Sequence, residues 1–208
     1  MSAPVLHGYY RSTASWRVRI ALALKGVDHA DAFRHLRKGE QRDADFLALN
    51  PQGLVPALAV DGAVLTQSLA ICEYLDEMYA DPPLLPAAPV ARARVRAAAQ
   101  AIACDIHPVQ NLKVLQRLRA LGVDADAWAR ETIDDGLAAV DALLRAEAGP
   151  FAFGAQVTLA DLCLVPQLYN VRRFGVDLRW PRLLAIEAAC GALDAFRRAA
   201  PENQPDAE

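Results

Sequence analysis

Tyr9-Tyr10-Arg11-Ser12-Thr13-Ala14-Ser15-Trp16-Arg17-Val18-Arg19-Ile20-Ala21-Leu22-Ala23-Leu24-Lys25-Gly26 is the stretch on which the fold turns. It starts where a short apolar run, Val5-Leu6, gives way to polar and aromatic residues. Val18, Ala21 and Leu22, widened by Ile20 and Leu24, then recur at helical spacing. Lys25 falls in the last turn and Gly26 just beyond it, which supplies a stop. Ser12 and Ser15 both suit a cap at the start. The stretch reads as strand, polar turn and helix, with hydroxyls at the helix N-terminus. Unpaired amides and the positive dipole end make that place favourable for an anion. A plain capping role for Ser12 fits the same residues.

Outward from there, Ala32-Phe33-Arg34-His35-Leu36 suits a second strand, and the charged run from Arg37 to Asp45 a solvated loop or short helix. Two apolar segments flank Asp61-Gly62, a dipeptide suited to the positive φ angles of a two-residue hairpin. Pro56 precedes the strand over Ala57–Val60, where a missing donor is best tolerated. Thr66-Gln67-Ser68 opens a further helix, with Ser68 as cap and Leu69, Cys72, Tyr74 and Leu75 as packing positions. The order β-α-β, ββ hairpin, α is that of a thioredoxin-like sheet, here without the C-x-x-C of a dithiol redox domain. The prolines at 82, 83, 86 and 89 read as a linker, so the expected division is an α/β domain over 1–80 and an all-α domain over 88–208.

In that second part only helical patterns occur. One runs from about Val90 to Ala120 with Pro108 interrupting it, and a second from about Asp126 to Ala146. A third follows Thr158-Leu159-Ala160-Asp161, which has the form of a capping box. The last two lie near Pro181–Cys190 and Ala192–Ala199, and the polar tail Pro201–Glu208 is expected to be loosely held.

With 208 residues, 54% of them hydrophobic, the chain has ample material for real cores. A net charge of −3 argues against nucleic acid as a partner. Lys occurs only at 25, 38 and 113, so the basic residues are mostly Arg, suited to bidentate carboxylate recognition, although codon bias yields the same composition. No apolar run reaches membrane-spanning length, and Met1-Ser2-Ala3-Pro4 leads directly to the first strand, so neither a membrane segment nor a signal peptide is expected. Cys72, Cys104, Cys163 and Cys190 lie far apart among apolar residues, without metal-ligand spacing. They read as small core hydrophobes in a reducing, cytoplasmic compartment.

A small βαβ-ββα domain, a proline-rich linker and a helical domain make the plan of the cytosolic glutathione transferases. Arg11–Leu22 closely resembles the signature of the zeta class, whose usual activity is maleylacetoacetate isomerisation. Val55-Pro56, Gln67-Ser68, Cys104-Asp105-Ile106-His107-Pro108, Thr158–Asp161 and Arg173-Phe174 match the class or its bacterial members in order and spacing. The resemblance implies a homodimer that uses glutathione as cofactor and acts on a small dicarboxylic substrate. Glutathione would lie against Ser12, His35, Gln52, Val55, Gln67 and Ser68, with Pro56 cis. His107 and Asn111 would orient a carbonyl or the thiol, and Arg11 and Arg173 would hold substrate carboxylates. Ser12 would donate to the sulfur.

One position departs from the pattern. Zeta enzymes carry a hydroxyl or thiol three residues after the signature arginine, and here that residue is Ala14. Ser12, and after it Thr13 or Ser15, is left to face the sulfur. Three functions remain in view: isomerisation of maleylacetoacetate, isomerisation of maleylpyruvate, and glutathione binding with little turnover.

Overall fold

The computed structural model describes residues 3–208; Met1 and Ser2, part of the stretch read as lacking a signal peptide, lie outside them. The chain forms two compact units: the described residues up to Pro83 together with Leu193–Glu208, and Leu84–Ala192. Among the described residues no helix is long and apolar enough to cross a membrane.

The first unit is built on a four-stranded sheet in the order β2-β1-β3-β4. Strand β1 (Val5–Gly8) pairs in parallel with β2 (Ala30–Phe33) and antiparallel with β3 (Ala57–Val60), which forms a hairpin with β4 (Ala63–Thr66). Asp61 and Gly62 turn that hairpin at φ 47° and 79°, as their dipeptide requires. β2 begins and ends earlier than the 32–36 read from sequence. Gly8 is the last residue of β1 to pair with it, and after the Arg34 amide bonds the Gly8 carbonyl no partner strand remains for His35 and Leu36.

Helix α1 (Thr13–Leu24) is buried along ten of its twelve residues, from Thr13 to Leu22. It has no polar face because α3 (Ser68–Met78) and α9 (Asp194–Ala199) both pack against it. Lys25 is its C-cap, and its ammonium crosses to the far end of α3, bonding Asp76 Oδ1 at 2.7 Å and the carbonyls of Tyr79 and Pro82 at 2.6 Å. In α3 the packing falls on Ile71, Cys72 and Leu75, with Leu69 and Tyr74 half-buried. The short helix α2 (Ala44–Leu49) buries Phe46 against Tyr9, Tyr10 and Val55.

The tail is not loosely held. Arg19 donates to the carbonyl of Ala199 at 3.0 Å, and Asp206 Oδ2 accepts the Tyr10 amide at 2.9 Å. Glu208 Oε1 lies 2.6 Å from His35 Nε2. Leu193–Glu208 therefore belongs with the α/β unit, although its sequence pattern is helical.

The second unit contains α4 (Pro89–Gln100), α5 (Leu112–Ala120), α6 (Ala125–Leu144), α7 (Leu159–Phe174) and α8 (Pro181–Gly191). The interruption expected near Pro108 takes the form of a π-helical segment, Ala101–Ile106, followed by a turn. Ile102 and Ile106 point inward from it, so Cys104, midway between them, is exposed and not a core residue; the other three cysteines are buried. In α7, Asp161 is fully buried and accepts from the Ala152 amide at 2.7 Å and from the Thr158 amide and hydroxyl at 2.7 and 2.9 Å. That completes the capping box read at Thr158.

Candidate active site

Ser12 is the N-cap of α1, and its Oγ accepts the Ser15 amide at 3.2 Å. Its own amide bonds the Tyr9 carbonyl at 3.0 Å, which fixes the turn from β1 into the helix. The capping and anion-binding readings are compatible. A serine hydroxyl carries two acceptor lone pairs and one proton, so accepting an amide leaves the O–H free to donate. Thr13 and Ser15, the other candidate hydroxyls, are 3% and 0% exposed, and neither hydroxyl has a partner among the described residues. Ser12 is the half-buried one, and so the accessible one. Ala14 is buried and fills space without offering a proton.

Arg19 organises the approach to this turn from beneath, with its guanidinium donating to the carbonyls of Tyr9 and Tyr10 at 3.4 and 3.0 Å. Burial pulls its pKa down to about 10. Arg11 is half-buried beside Ser12, and its charge opposes the upward shift that burial imposes on the Tyr9 phenol.

Two further edges of the unit complete the set. Val55, 9% exposed, joins Pro56 through a cis peptide just ahead of β3. Gln67 links β4 to α3 in a single residue at φ 69°, and this positive angle makes Gln67 the N-cap and moves Ser68 to the first helical position. Ser68 is therefore not the cap read from sequence. Its hydroxyl instead accepts from Arg17 Nη1 at 3.2 Å. The side-chain Nε2 of Gln67 donates to Gln52 Oε1 at 2.9 Å, so two residues picked out separately in the sequence stand in contact. His35 Nδ1 accepts the Lys38 amide at 3.2 Å, which assigns the ring proton to Nε2, facing Glu208.

The remaining candidates lie in the helical unit. His107 is half-buried where the π segment ends, its amide bonding the Ile102 carbonyl at 2.9 Å. Asn111 caps α5, its Oδ1 accepting the Val114 amide at 3.1 Å. Arg173 is exposed in the last turn of α7, its guanidinium carbon 5.1 Å from the centre of the Phe174 ring. The neighbouring Arg172 is held by both oxygens of Glu187 at 2.6 Å. Arg17 escaped the sequence reading; the available signal was a charged residue inside a helix with no polar face.

Residues 11–78 match the N-terminal domain model of glutathione S-transferase, and residues 89–199 match its C-terminal domain model. A maleylacetoacetate isomerase of Pseudomonas aeruginosa is 50% identical, over 97% of each chain. A maleylpyruvate isomerase of a Ralstonia species is also 50% identical, over 97% of this chain and 98% of its own. Among solved structures, a maleylpyruvate isomerase described as a bacterial zeta-class glutathione S-transferase superposes with a TM-score of 0.95 at 49% identity, covering 98% of this chain and all of its own. With both domain models matched in order and relatives aligned over nearly its whole length, the chain belongs to the glutathione S-transferase family.

Proposed function

We propose that the protein is a glutathione-dependent cis-trans isomerase of a maleyl diketo acid, converting maleylacetoacetate to fumarylacetoacetate. The observation that carries this reading is the Ser12 hydroxyl, placed at the start of a buried helix with its oxygen engaged by a backbone amide and its proton free. Relatives named maleylacetoacetate isomerase span bacteria and animals, with 45% identity over 98% of this chain in the rat protein. The zeta-class structure with a TM-score of 0.95 favours a second reading, maleylpyruvate as the substrate. Both acids present a cis double bond conjugated to a ketone, with carboxylates at the ends, so one site chemistry serves either.

The residues present fit glutathione. In an isomerase of Anaeromyxobacter dehalogenans, 44% identical to this chain, the solved structure has glutathione bound in the active site. Here the backbone at Val55 would pair with the cysteinyl part, Gln67 and Ser68 would hold the γ-glutamyl end, and His35 and Gln52 would take the glycyl end. Bound glutathione would supply a thiolate that adds to the conjugated double bond, allows rotation about the carbon–carbon bond thereby made single, and is released when elimination breaks the carbon–sulfur bond and restores the double bond. Ser12 stabilises that thiolate by donation. A charge-assisted hydrogen bond of about 1.5–3 kcal/mol lowers a thiol pKa by roughly one to two units, enough to dispense with a separate base. Arg11 and Arg173 would each grip a substrate carboxylate through a planar fork. His107 and Asn111 would orient the carbonyl or the thiol.

A homodimer in a cytoplasmic setting is part of the same proposal; cysteines widely spaced in sequence, with no C-x-x-C pair, support the reducing compartment. Sedimentation at micromolar concentration should give a dimer, and monomer alone would remove that part. The deciding experiment supplies each cis-diketo diacid with substoichiometric glutathione and follows loss of the cis isomer. Many turnovers per glutathione are expected. Glutathione binding without turnover would leave a binding protein in place of an enzyme.

A further inference from the structure

Arg17 is 1% exposed, and among the described residues its guanidinium makes one hydrogen bond, from Nη1 to Ser68 Oγ at 3.2 Å. Nε and Nη2 are buried with no partner among the described residues. The other buried cations of the same unit are treated differently. Lys25 meets one carboxylate and two carbonyls, and Arg19 meets three carbonyls. A buried guanidinium without a counter-charge opposes folding, and a chain that satisfies its neighbours has left this one uncompensated.

The contact with Ser68 has a direction. Arg can only donate, so Ser68 Oγ must accept, and its O–H is turned away from Arg17 to donate elsewhere. Ser68 is the first residue of α3, an eleven-residue helix whose opening amides and positive dipole end lie at the same place. An oriented hydroxyl, a helix N-terminus and a hidden positive charge behind both make a site for a carboxylate.

We propose that Arg17 is the buried counter-charge of the γ-glutamyl α-carboxylate of glutathione, acting through Ser68. This inference rests on the glutathione reading above. Arg17 touches no ligand atom; it is a positioning residue that orients the Ser68 hydroxyl and strengthens it as a donor.

The test uses two ligands and needs no turnover. Calorimetric titrations compare glutathione with 4-aminobutanoyl-cysteinylglycine, which lacks only that carboxylate. The wild-type protein should prefer glutathione, and Arg17→Met should narrow the preference by about tenfold or more, with affinity for the analogue held within about twofold. Arg17→Lys should restore part of the preference, because the charge returns without the fork. A residue that only fills the core would weaken both ligands alike, and that result overturns the proposal. Should Arg17→Met fail to fold, the wild-type protein still decides the matter. The Arg17 side-chain resonance in ¹⁵N–¹H spectra should shift with glutathione and stay put with the analogue, and a resonance indifferent to the carboxylate overturns the proposal. Wild-type protein that binds neither ligand removes the glutathione reading and this inference together. Wild-type protein that binds glutathione, with a preference that survives Arg17→Met, removes the inference alone.

Discussion

Ser12 caps α1 and, on the proposed function, also donates to the ligand sulfur, and two measurements on one variant separate these roles. In Ser12→Ala the Ser15 amide loses its cap and, on that proposal, the ligand sulfur loses its donor. Cap loss costs about 1 kcal/mol of stability, whereas a donor strengthened by developing charge is worth about 1.5–3 kcal/mol in the reaction. The variant should stay folded, bind glutathione within a few-fold of wild type, and isomerise roughly tenfold to a hundredfold more slowly. Steady-state kinetics beside calorimetry checks this, and equal losses in rate and binding would leave Ser12 a cap alone. Arg173→Ala carries the matching expectation for the substrate. It should raise KM for a dicarboxylic substrate by roughly tenfold to a hundredfold and leave conjugation of a neutral electrophile untouched. Parallel losses for charged and neutral substrates would make Arg173 structural. Ser12 could be read from sequence because its signal is local: a hydroxyl where a strand gives way to a helix. Arg17 could not, because an arginine is read as a surface residue until the packing of α3 and α9 around α1 removes the surface.

The helices whose ends carry their own chemistry were legible within a residue or two. Asp124, accepting the amides of Asp126 and Ala127 at 3.1 and 2.9 Å, starts α6, and Thr158 with Asp161 starts α7. β2, whose limits come from its partner strand, is misplaced in the sequence reading, because it stops where β1 runs out; the π segment reads there only as an interruption. Its packing against α6 offers a sharp test. Gly136 faces Ile106, and a Cβ there would overlap the isoleucine side chain, which is 2% exposed and has no room to yield. Alanine gains about 1 kcal/mol over glycine in helix propensity, but overpacking a core costs about 1–3 kcal/mol. Gly136→Ala should therefore lower stability in urea unfolding by up to about 2 kcal/mol. A stabilised variant would mean that propensity outweighs this contact.

The chain leaves its first unit at Pro83, builds the helical unit, and returns at Leu193. A division at the proline-rich segment is visible in sequence. The return is not, because the contacts that fix it, such as Asp206 to Tyr10, join residues 196 positions apart. A fragment of residues 1–83 would lack α9, leaving Arg19 without the Ala199 carbonyl and α1 with an uncovered apolar face. Such a fragment should give a broad, weakly cooperative thermal transition, sharpened by adding a peptide of residues 193–208. A fragment that melts as sharply alone would show that α9 contributes nothing to the unit.

The same return path sets an order of events at the ribosome. Every residue of 84–192 emerges before α9 does, so the helical unit can close while the α/β unit, begun earlier, still waits for the segment that seals α1. The half of the protein made first is thus the half completed last, and through that interval the nascent chain carries the exposed flank of α1 as a surface for chaperones to hold.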